Sequence, residues 1–146
     1  MKYISTRDNT KEYNFEQVFI KGLADDGGLY VPKTLKKFSA EELIKLKNLN
    51  YNALSTEIIS LFSEDFISKE ELSSLINKSY STFREKEVVK ISNVGEIKLL
   101  ELFHGPTLAF KDVAMQLIGN LYEYYLSKNN KKINIVVATS GDTGAA

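Results

Sequence analysis

The sequence has no cysteine, one histidine and two prolines among its 146 residues. Without cysteine, disulfides and thiolate metal sites are excluded, and a single histidine excludes metal sites built from several imidazoles. Nineteen basic residues balance nineteen acidic ones, so nothing indicates binding to nucleic acid or an anionic membrane. No apolar run approaches the ~20 residues of a membrane span, and the N-terminus lacks an apolar signal segment. We therefore expect a cytoplasmic protein.

The chain does contain enough apolar residues to form a folded core. Hydrophobic residues make up 43% of it and aromatic residues 11%, which excludes wholesale disorder. The length allows one domain, or one small domain followed by part of another. Because the pattern of apolar residues changes near Glu85, we predict a first domain over residues 1–86 and the start of an incomplete α/β domain over residues 87–146.

Residues 1–86 show the pattern of short amphipathic helices. Capping boxes at residues 39–42 and 68–71 each predict a helix start, and an earlier helix is predicted from Phe15 to Lys21. The glycine- and aspartate-rich stretch from Gly22 to Pro32 is predicted to be a loop. Apolar residues at helical spacing form two stripes: Leu54, Ile58, Leu61 and Phe62 in one, and Leu72, Leu75, Ile76, Tyr80 and Phe83 in the other.

Residues 87–146 alternate between strand and helix patterns. Strands are predicted over residues 87–92 and 97–102, joined by a turn at Gly95. The apolar run over residues 133–138 is rich in β-branched residues and predicts a buried parallel strand. Strand, helix and strand would make one right-handed βαβ unit. The helix between them is predicted from one apolar stripe: Phe110, Ala114, Leu117, Leu121 and Tyr125.

The last residues predict a loop that leads into a helix. Residues 139–144 are rich in glycine and hydroxyl side chains, and Ala145 and Ala146 would begin the helix. Two residues cannot repay the cost of helix nucleation, and a buried parallel strand needs neighbours on both sides. We therefore expect the chain to be the N-terminal fragment of a longer protein, the alternative being a complete domain with a disordered tail.

Lys111 is the first candidate for chemistry. If Thr107 caps the following helix, Lys111 lies in its first turn, between Phe110 and Met115. The positive end of the helix dipole and partial burial would both favour the uncharged amine. That is the form in which a lysine attacks carbonyl groups. By position alone, however, a solvated surface lysine is the commoner case.

The loop from Ser140 to Gly144 is the second candidate. Its glycines would let backbone N–H groups approach an anion at a helix N-terminus, with hydroxyls from Ser140 and Thr143 as further donors. It is neither a Walker A loop nor a nucleophile elbow. A carboxylate or phosphate site and a tight turn without ligand fit this spacing equally well.

His104 invites comparison with a catalytic triad that would include Ser140 and either Asp142 or Asp112. Nothing in the spacing supports that interpretation. A structural histidine beside the turn at residues 105–106 fits the sequence better.

Four segments, in order, resemble the threonine synthase family. Residues 102–116 resemble its pyridoxal-phosphate lysine segment, and residues 138–146 its glycine loop. Residues 3–7 and 22–32 are similar to its opening signatures. Asp8 departs from the pattern, since a glycine or another small residue is expected after Arg7. The resemblance spans essentially the whole chain.

The resemblance implies a mostly helical N-terminal domain followed by the beginning of the type-II pyridoxal-phosphate fold. No metal is expected, because the chain lacks cysteine and has a single histidine. Lys111 would hold the cofactor, and the loop Ser140, Gly141, Asp142, Thr143 and Gly144 would bind anionic groups of the substrate. Asp142 stands where related enzymes often carry asparagine near the cofactor ring. The groups that bind the cofactor phosphate and the pyridine nitrogen would lie beyond Ala146.

By the same resemblance, the parent protein converts O-phospho-L-homoserine and water into L-threonine and phosphate, the last step of threonine biosynthesis. The fragment alone is expected to be inactive, to lack the cofactor and to associate with itself. The closest alternative is a related phospho-lyase that releases a 2-oxo acid and ammonia by β-elimination. Further alternatives are a dehydratase or sulfhydrylase of the same fold, and a non-catalytic folding or interaction module.

Overall fold

The computed structural model describes residues 1–146 and divides them into two compact units. Residues 1–49 and 53–73 form the first unit, and residues 50–52 and 74–146 form the second. The predicted domains 1–86 and 87–146 stay a prediction. None of the helices combines the length and apolarity needed to cross a bilayer. The elements in chain order are β1 (Tyr3–Ser5), α1 (Phe15–Lys21), β2 (Tyr30–Pro32), α2 (Ala40–Lys47), α3 (Tyr51–Ser63), α4 (Lys69–Tyr80), β3 (Lys90–Val94), β4 (Ile97–Glu101), α5 (Asp112–Asn129) and α6 (Asp142–Ala145).

The first unit contains a small antiparallel sheet that the sequence did not predict. Strands β1 and β2 pair with Tyr3 opposite Pro32 and Ser5 opposite Tyr30. The end of the predicted loop 22–32 is therefore a strand. Proline is compatible with this position because it lies at the end of an edge strand, and the next residue, Lys33, donates its N–H to the carbonyl of Lys2 at 2.8 Å.

The helices of the first unit begin and end where local chemistry predicts. Helix α1 covers the predicted residues and ends at Gly22, whose φ of +74° is the left-handed region that glycine tolerates. Both reciprocal bonds of the capping box join Ser39 and Glu42 at the start of α2. The same two bonds join Ser68 and Glu71 before α4. The two predicted capping boxes are confirmed.

Aromatic rings and the predicted apolar stripes form the cores. The Tyr3 ring lies 6.3 Å from that of Phe15, which in turn lies 5.3 Å from that of Phe66 in the first unit. Leu72 and Ile76 are completely buried. No member of either predicted stripe is exposed. In α4 the burial of Leu72, Ile76 and Tyr80 confirms the helical phasing up to Tyr80, where the helix ends. In α3 the buried residues are Thr56 and Ser63, which lie outside the predicted stripe, so its phasing is not confirmed.

The second unit contains the predicted hairpin. Strands β3 and β4 pair antiparallel from Lys90 opposite Glu101 to Val94 opposite Ile97. The turn includes Gly95, with a φ of +61°. Strand β3 begins three residues later than predicted, because Val88 is buried with a φ of +63°, a conformation that a strand cannot contain.

Helix α5 buries the later part of the predicted stripe but not its beginning. Leu117, Leu121 and Tyr125 are buried, whereas Phe110 is 58% exposed and Ala114 is exposed. The expected burial of Phe110 is wrong because α5 begins at Asp112, and Ala114, although inside α5, lies on its exposed side. Phe110 belongs to the preceding turn, and the buried residue at the start of the helix is Asp112 itself.

Residues 133–138 do not form the predicted strand, and the βαβ unit is therefore absent. The sheets contain only the pairs β1–β2 and β3–β4. Val136 is 95% exposed and Ile135 is 70% exposed. The composition favours a strand, but a strand forms only when its backbone pairs with a neighbour, and neither of the two sheets pairs with this segment.

Candidate functional site

Lys111 is the residue from which helix α5 starts. Its backbone is already helical, with φ −65° and ψ −23°. Its carbonyl accepts the N–H groups of Ala114 at 3.0 Å and Met115 at 2.8 Å. The expected cap at Thr107 is wrong, since this residue lies in a turn before the helix. Lys111 nevertheless stands at the positive end of α5, where the sequence placed it.

The amine of Lys111 has no carboxylate partner. Its Nζ lies 5.3 Å from the centroid of the Phe110 ring. The residue is half-buried, and its side chain forms no ion pair or hydrogen bond. Electrostatic attraction to the ring face is weak at an exposed site. The amine can therefore react or pair with a ligand without first breaking a salt bridge.

The turn before α5 is built on a buried carboxylate. Asp112 is 0% exposed. Its Oδ2 accepts the Thr107 N–H at 2.8 Å, and its Oδ1 accepts the Thr107 hydroxyl at 2.9 Å. A Cβ added to Gly105 would lie 2.4 Å from the Asp112 Cβ, so only glycine fits there. Leu108 takes a φ of +66° in the same turn.

His104 pairs with Glu101 and not with any member of the supposed triad. Its Nε2 lies 2.8 Å from Glu101 Oε2, and both side chains are largely buried. Its backbone carbonyl accepts the N–H of Arg84 at 2.8 Å. Hydrogen bonds from Ser92, and secondly from His104, hold the pKa of the Glu101 carboxyl below its usual value. These contacts fit the structural role that the sequence favoured.

A helix does begin near the segment Ser140–Gly144, but it starts at Asp142, three residues earlier than predicted, and it does not include Ala146. Helix α6 covers only Asp142–Ala145, and its N-cap, Gly141, has a φ of +134°. A Cβ on Gly144 would lie 2.6 Å from Thr139 Cγ2, which accounts for the glycine there. Of the five loop residues only Thr143 is half-buried; the others are exposed.

Helix α5 connects the two candidate segments. Gln116 Nε2, in the second turn of α5, donates to the Ala146 carbonyl at 2.9 Å. No hydrogen bond joins Lys111 to residues 140–144. Lys111 and the loop thus belong to the same unit. They are connected through α5, which starts after Lys111 and binds Ala146 through Gln116.

Sequence reasoning missed three residues that organise this region: Gly105, Asp112 as the anchor of the turn, and Gln116. The pairing of threonine with an aspartate five residues later was the available signal, because short polar side chains commonly bind backbone N–H groups near helix starts. Gln116 had no such signal, since its bond to Ala146 spans 30 residues.

Neither a metal-binding cluster nor the cavity of the first unit contributes to the predicted site. No group of three or more histidine, aspartate or glutamate side chains is arranged to hold a metal ion. The first unit has a cavity of about 430 Å³ that is lined by both apolar and charged side chains. None of its lining residues belongs to the predicted site: Lys36, Phe38, Glu42, Lys45, Leu46, Leu49, Glu57 and Leu61.

Known proteins resemble the chain along its whole length. The family described as "Threonine synthase N terminus" matches residues 2–80. Threonine synthase from Pseudomonas aeruginosa is 42% identical over 147 residues, covering 100% of this chain and 31% of the relative. Threonine synthase-like 2 from Pongo abelii is 40% identical over 148 residues, again covering 100% of this chain and 31% of the relative.

A solved structure agrees with the fold. The crystal structure of PLP-bound threonine synthase from Brucella melitensis matches with a TM-score of 0.93 at 39% identity, covering 99% of this chain and 31% of that one. The likeness confirms the predicted fold class, a mostly helical N-terminal threonine synthase region followed by the start of an α/β region. The chain spans about three tenths of the length of these relatives. By its sequence and by its fold, this chain belongs to the threonine synthase family.

Proposed function

We propose that the chain is the N-terminal part of a threonine synthase and that Lys111 is the residue that holds pyridoxal phosphate. The observation that carries the proposal is the Lys111 amine, half-buried at the start of α5 without a carboxylate partner. The family to which the chain belongs also includes a threonine synthase that was crystallised with PLP bound.

The residues around Lys111 fit such a cofactor. A primary amine that forms no ion pair can bond an aldehyde, and the nearby Phe110 ring offers an apolar, aromatic surface. When bound, pyridoxal phosphate supplies an electron sink for carbanions next to the substrate amine. The Lys111 amine, when it is not bonded to the cofactor, would take protons from the substrate carbons and return them.

The loop Ser140–Gly144 would bind the anionic groups of the substrate. Its exposed backbone and the hydroxyls of Ser140 and Thr143 are suitable donors for the α-carboxylate, with the phosphate nearby. Asp142 would lie close to the cofactor ring, in the place where related enzymes often carry asparagine.

The proposed reaction converts O-phospho-L-homoserine and water into L-threonine and phosphate. Lys111 would remove a proton from Cα and then from Cβ, the γ-phosphate would leave, and water would add at Cβ. The two proton removals and returns suit one amine on a rigid helix, since the first turn of α5 is built on the Lys111 carbonyl. The enzyme would thus be a lyase acting on a phosphate ester.

A phospho-lyase that performs β-elimination without adding water is the second candidate. The specific reason to keep it is that threonine synthase-like 2 proteins match the chain about as closely as threonine synthases do. Product analysis of the full-length protein separates the two candidates: L-threonine supports the synthase, and a 2-oxo acid with ammonia supports the phospho-lyase.

The direct test is Lys111→Ala in the full-length protein. Turnover should be abolished, because loss of a general base alone costs ~10²–10⁴-fold and the cofactor attachment is lost as well. Borohydride reduction and peptide mapping should label Lys111 in the wild-type protein and nothing at this position in the variant. Lys132→Ala, at an exposed position, is the matched control and should keep its rate. A Lys111→Ala protein with wild-type turnover would refute the assignment.

The 146-residue chain by itself should bind pyridoxal phosphate poorly and catalyse nothing. A doubly charged phosphate needs several oriented donors, and a four-residue α6 without a side-chain cap offers few. We also propose that the chain associates with itself through its exposed apolar residues. The expected cytoplasmic location stays a prediction.

A further inference from the structure

Asp112 is a buried carboxylate beside Lys111 that the proposed reaction does not use. Although it follows Lys111 directly in the sequence, its carboxylate does not pair with the lysine. The structure gives it different partners, because both carboxylate oxygens accept hydrogen bonds from Thr107. Its burial is complete, so no ligand reaches it directly.

We propose that Asp112 is a positioning residue that fastens the turn of residues 105–108 to the start of α5 and thereby sets where the Lys111 amine stands. That this amine holds a cofactor rests on the proposed function. The positioning itself is a property of residues 105–112.

Three sets of contacts close this segment into a loop. The carboxylate of Asp112 binds the amide and the hydroxyl of Thr107. The backbone N–H of Asp112 donates to the Ala109 carbonyl at 3.1 Å. Gly105 packs directly on the Asp112 side chain, leaving no space for a Cβ. Lys111 lies inside the loop, one residue from its anchor.

Charge strengthens the anchor. Hydrogen bonds to an ionised carboxylate are stronger than bonds between neutral groups. Asp112 is also the first residue of α5, where the helix dipole favours a negative charge. A reactive amine has to be held within a fraction of an ångström of its productive place, which requires supporting residues of this kind.

A matched pair of variants of this chain tests the proposal. Thr107→Val keeps the shape and the backbone N–H bond but removes the hydroxyl that binds Oδ1, whereas Thr107→Ser keeps the hydroxyl. The readout is the rate of acetylation of Lys111 by acetic anhydride relative to that of exposed Lys132, measured by peptide mass spectrometry. We expect a ratio below one in the wild type, because Lys111 is half-buried. The ratio should rise several-fold in Thr107→Val and return to the wild-type value in Thr107→Ser.

A purely structural role predicts a different result. If Thr107→Val lowers the melting temperature and leaves the ratio unchanged, or if Thr107→Ser behaves like Thr107→Val, the proposal is wrong. As a second measurement, Asp112→Asn should speed hydrogen exchange of the Thr107 amide by about tenfold or more. Unchanged exchange would also contradict it, and if Asp112→Asn fails to fold, the Thr107 pair decides.

These measurements use no cofactor. If the full-length protein does not attach pyridoxal phosphate at Lys111, the proposed function fails and the positioning by Asp112 still stands. If Lys111 is labelled by the cofactor but the acetylation ratio is the same in the Thr107 variants and the wild type, the proposed positioning role of Asp112 is wrong and the proposed function stands.

Discussion

Tyr3 shows how one side chain can link distant parts of the first unit. Its ring is buried against Phe15, and its hydroxyl donates to the Phe62 carbonyl, 59 residues away, at 2.8 Å. Burial, and secondly the charge of Asp65, raises the pKa of Tyr3 to about 12. The neutral phenol is therefore the form that the folded chain requires.

Replacement of Tyr3 by phenylalanine should change both the stability and its pH dependence. At neutral pH we expect a loss of about 1 kcal/mol, because the Phe62 carbonyl loses its donor. In the wild type, unfolding releases the Tyr3 proton from about pH 10 upward, so its contribution is complete below pH 10 and is lost as the pH rises to about 12. Denaturant unfolding at a series of pH values should show the two stability curves converging over this interval; parallel curves would contradict the burial argument.

At the scale of elements, helix starts follow local chemistry, and the strand that needs a partner does not form. Helices α1, α2 and α4 each begin at an Asn or Ser whose side chain binds a backbone N–H three residues on. Such bonds involve only neighbouring residues, so the sequence alone predicts them. Residues 133–138 have the composition of a strand but do not form one. The reason is that strand pairing depends on residues far away in the chain.

Ser39→Ala should destabilise the first unit by about 1 kcal/mol, since it leaves the Glu42 N–H without its cap. Ser127→Ala, at an exposed position inside α5, is the matched control and should be neutral.

Hydrogen bonds from Lys36 and then Ser39 lower the pKa of Glu42. The contribution of this carboxylate is complete above its unfolded pKa and is lost as the pH falls through the lowered value. Thermal unfolding across the acid range should therefore show the stability of Glu42→Gln approaching that of the wild type at low pH. A difference in stability that stays constant with pH would contradict this role.

At the scale of the whole molecule, several large apolar side chains are exposed. In the hairpin, Ile91 and Ile97 are each 64% exposed, and in the unpaired segment Ile135 and Val136 are 70% and 95% exposed. Apolar patches of this kind mark surfaces that contact other protein, and unpaired extended backbone can pair with another chain. This exposure is the basis of the proposed self-association.

Sedimentation velocity over a range of concentrations should detect association of the 146-residue chain and its loss in Val136→Lys. Removing a side chain that is 95% exposed cannot disturb a core, so the effect would report on the surface. Asn134→Lys adds the same charge to the same segment without removing an apolar group, and it should associate more than Val136→Lys. A wild-type chain that stays monomeric at every concentration would end the proposal.

The sequence by itself determined the elements whose signals are local. The capping boxes, the end of α1 at Gly22, the hairpin turn at Gly95 and the placing of Lys111 near a helix start all follow from residues within a few positions of one another. The motifs around Lys111 and residues 140–144 also indicated the family correctly, because they combine rare residue orders over short spans.

The tertiary structure alone decided what depends on distant residues. It paired β1 with β2. It tied α6 to α5 through Gln116 and left residues 133–138 unpaired. Each of these features depends on whether two groups far apart in the chain are in contact. The spacing of apolar residues and the local propensities do not indicate which distant partner is present.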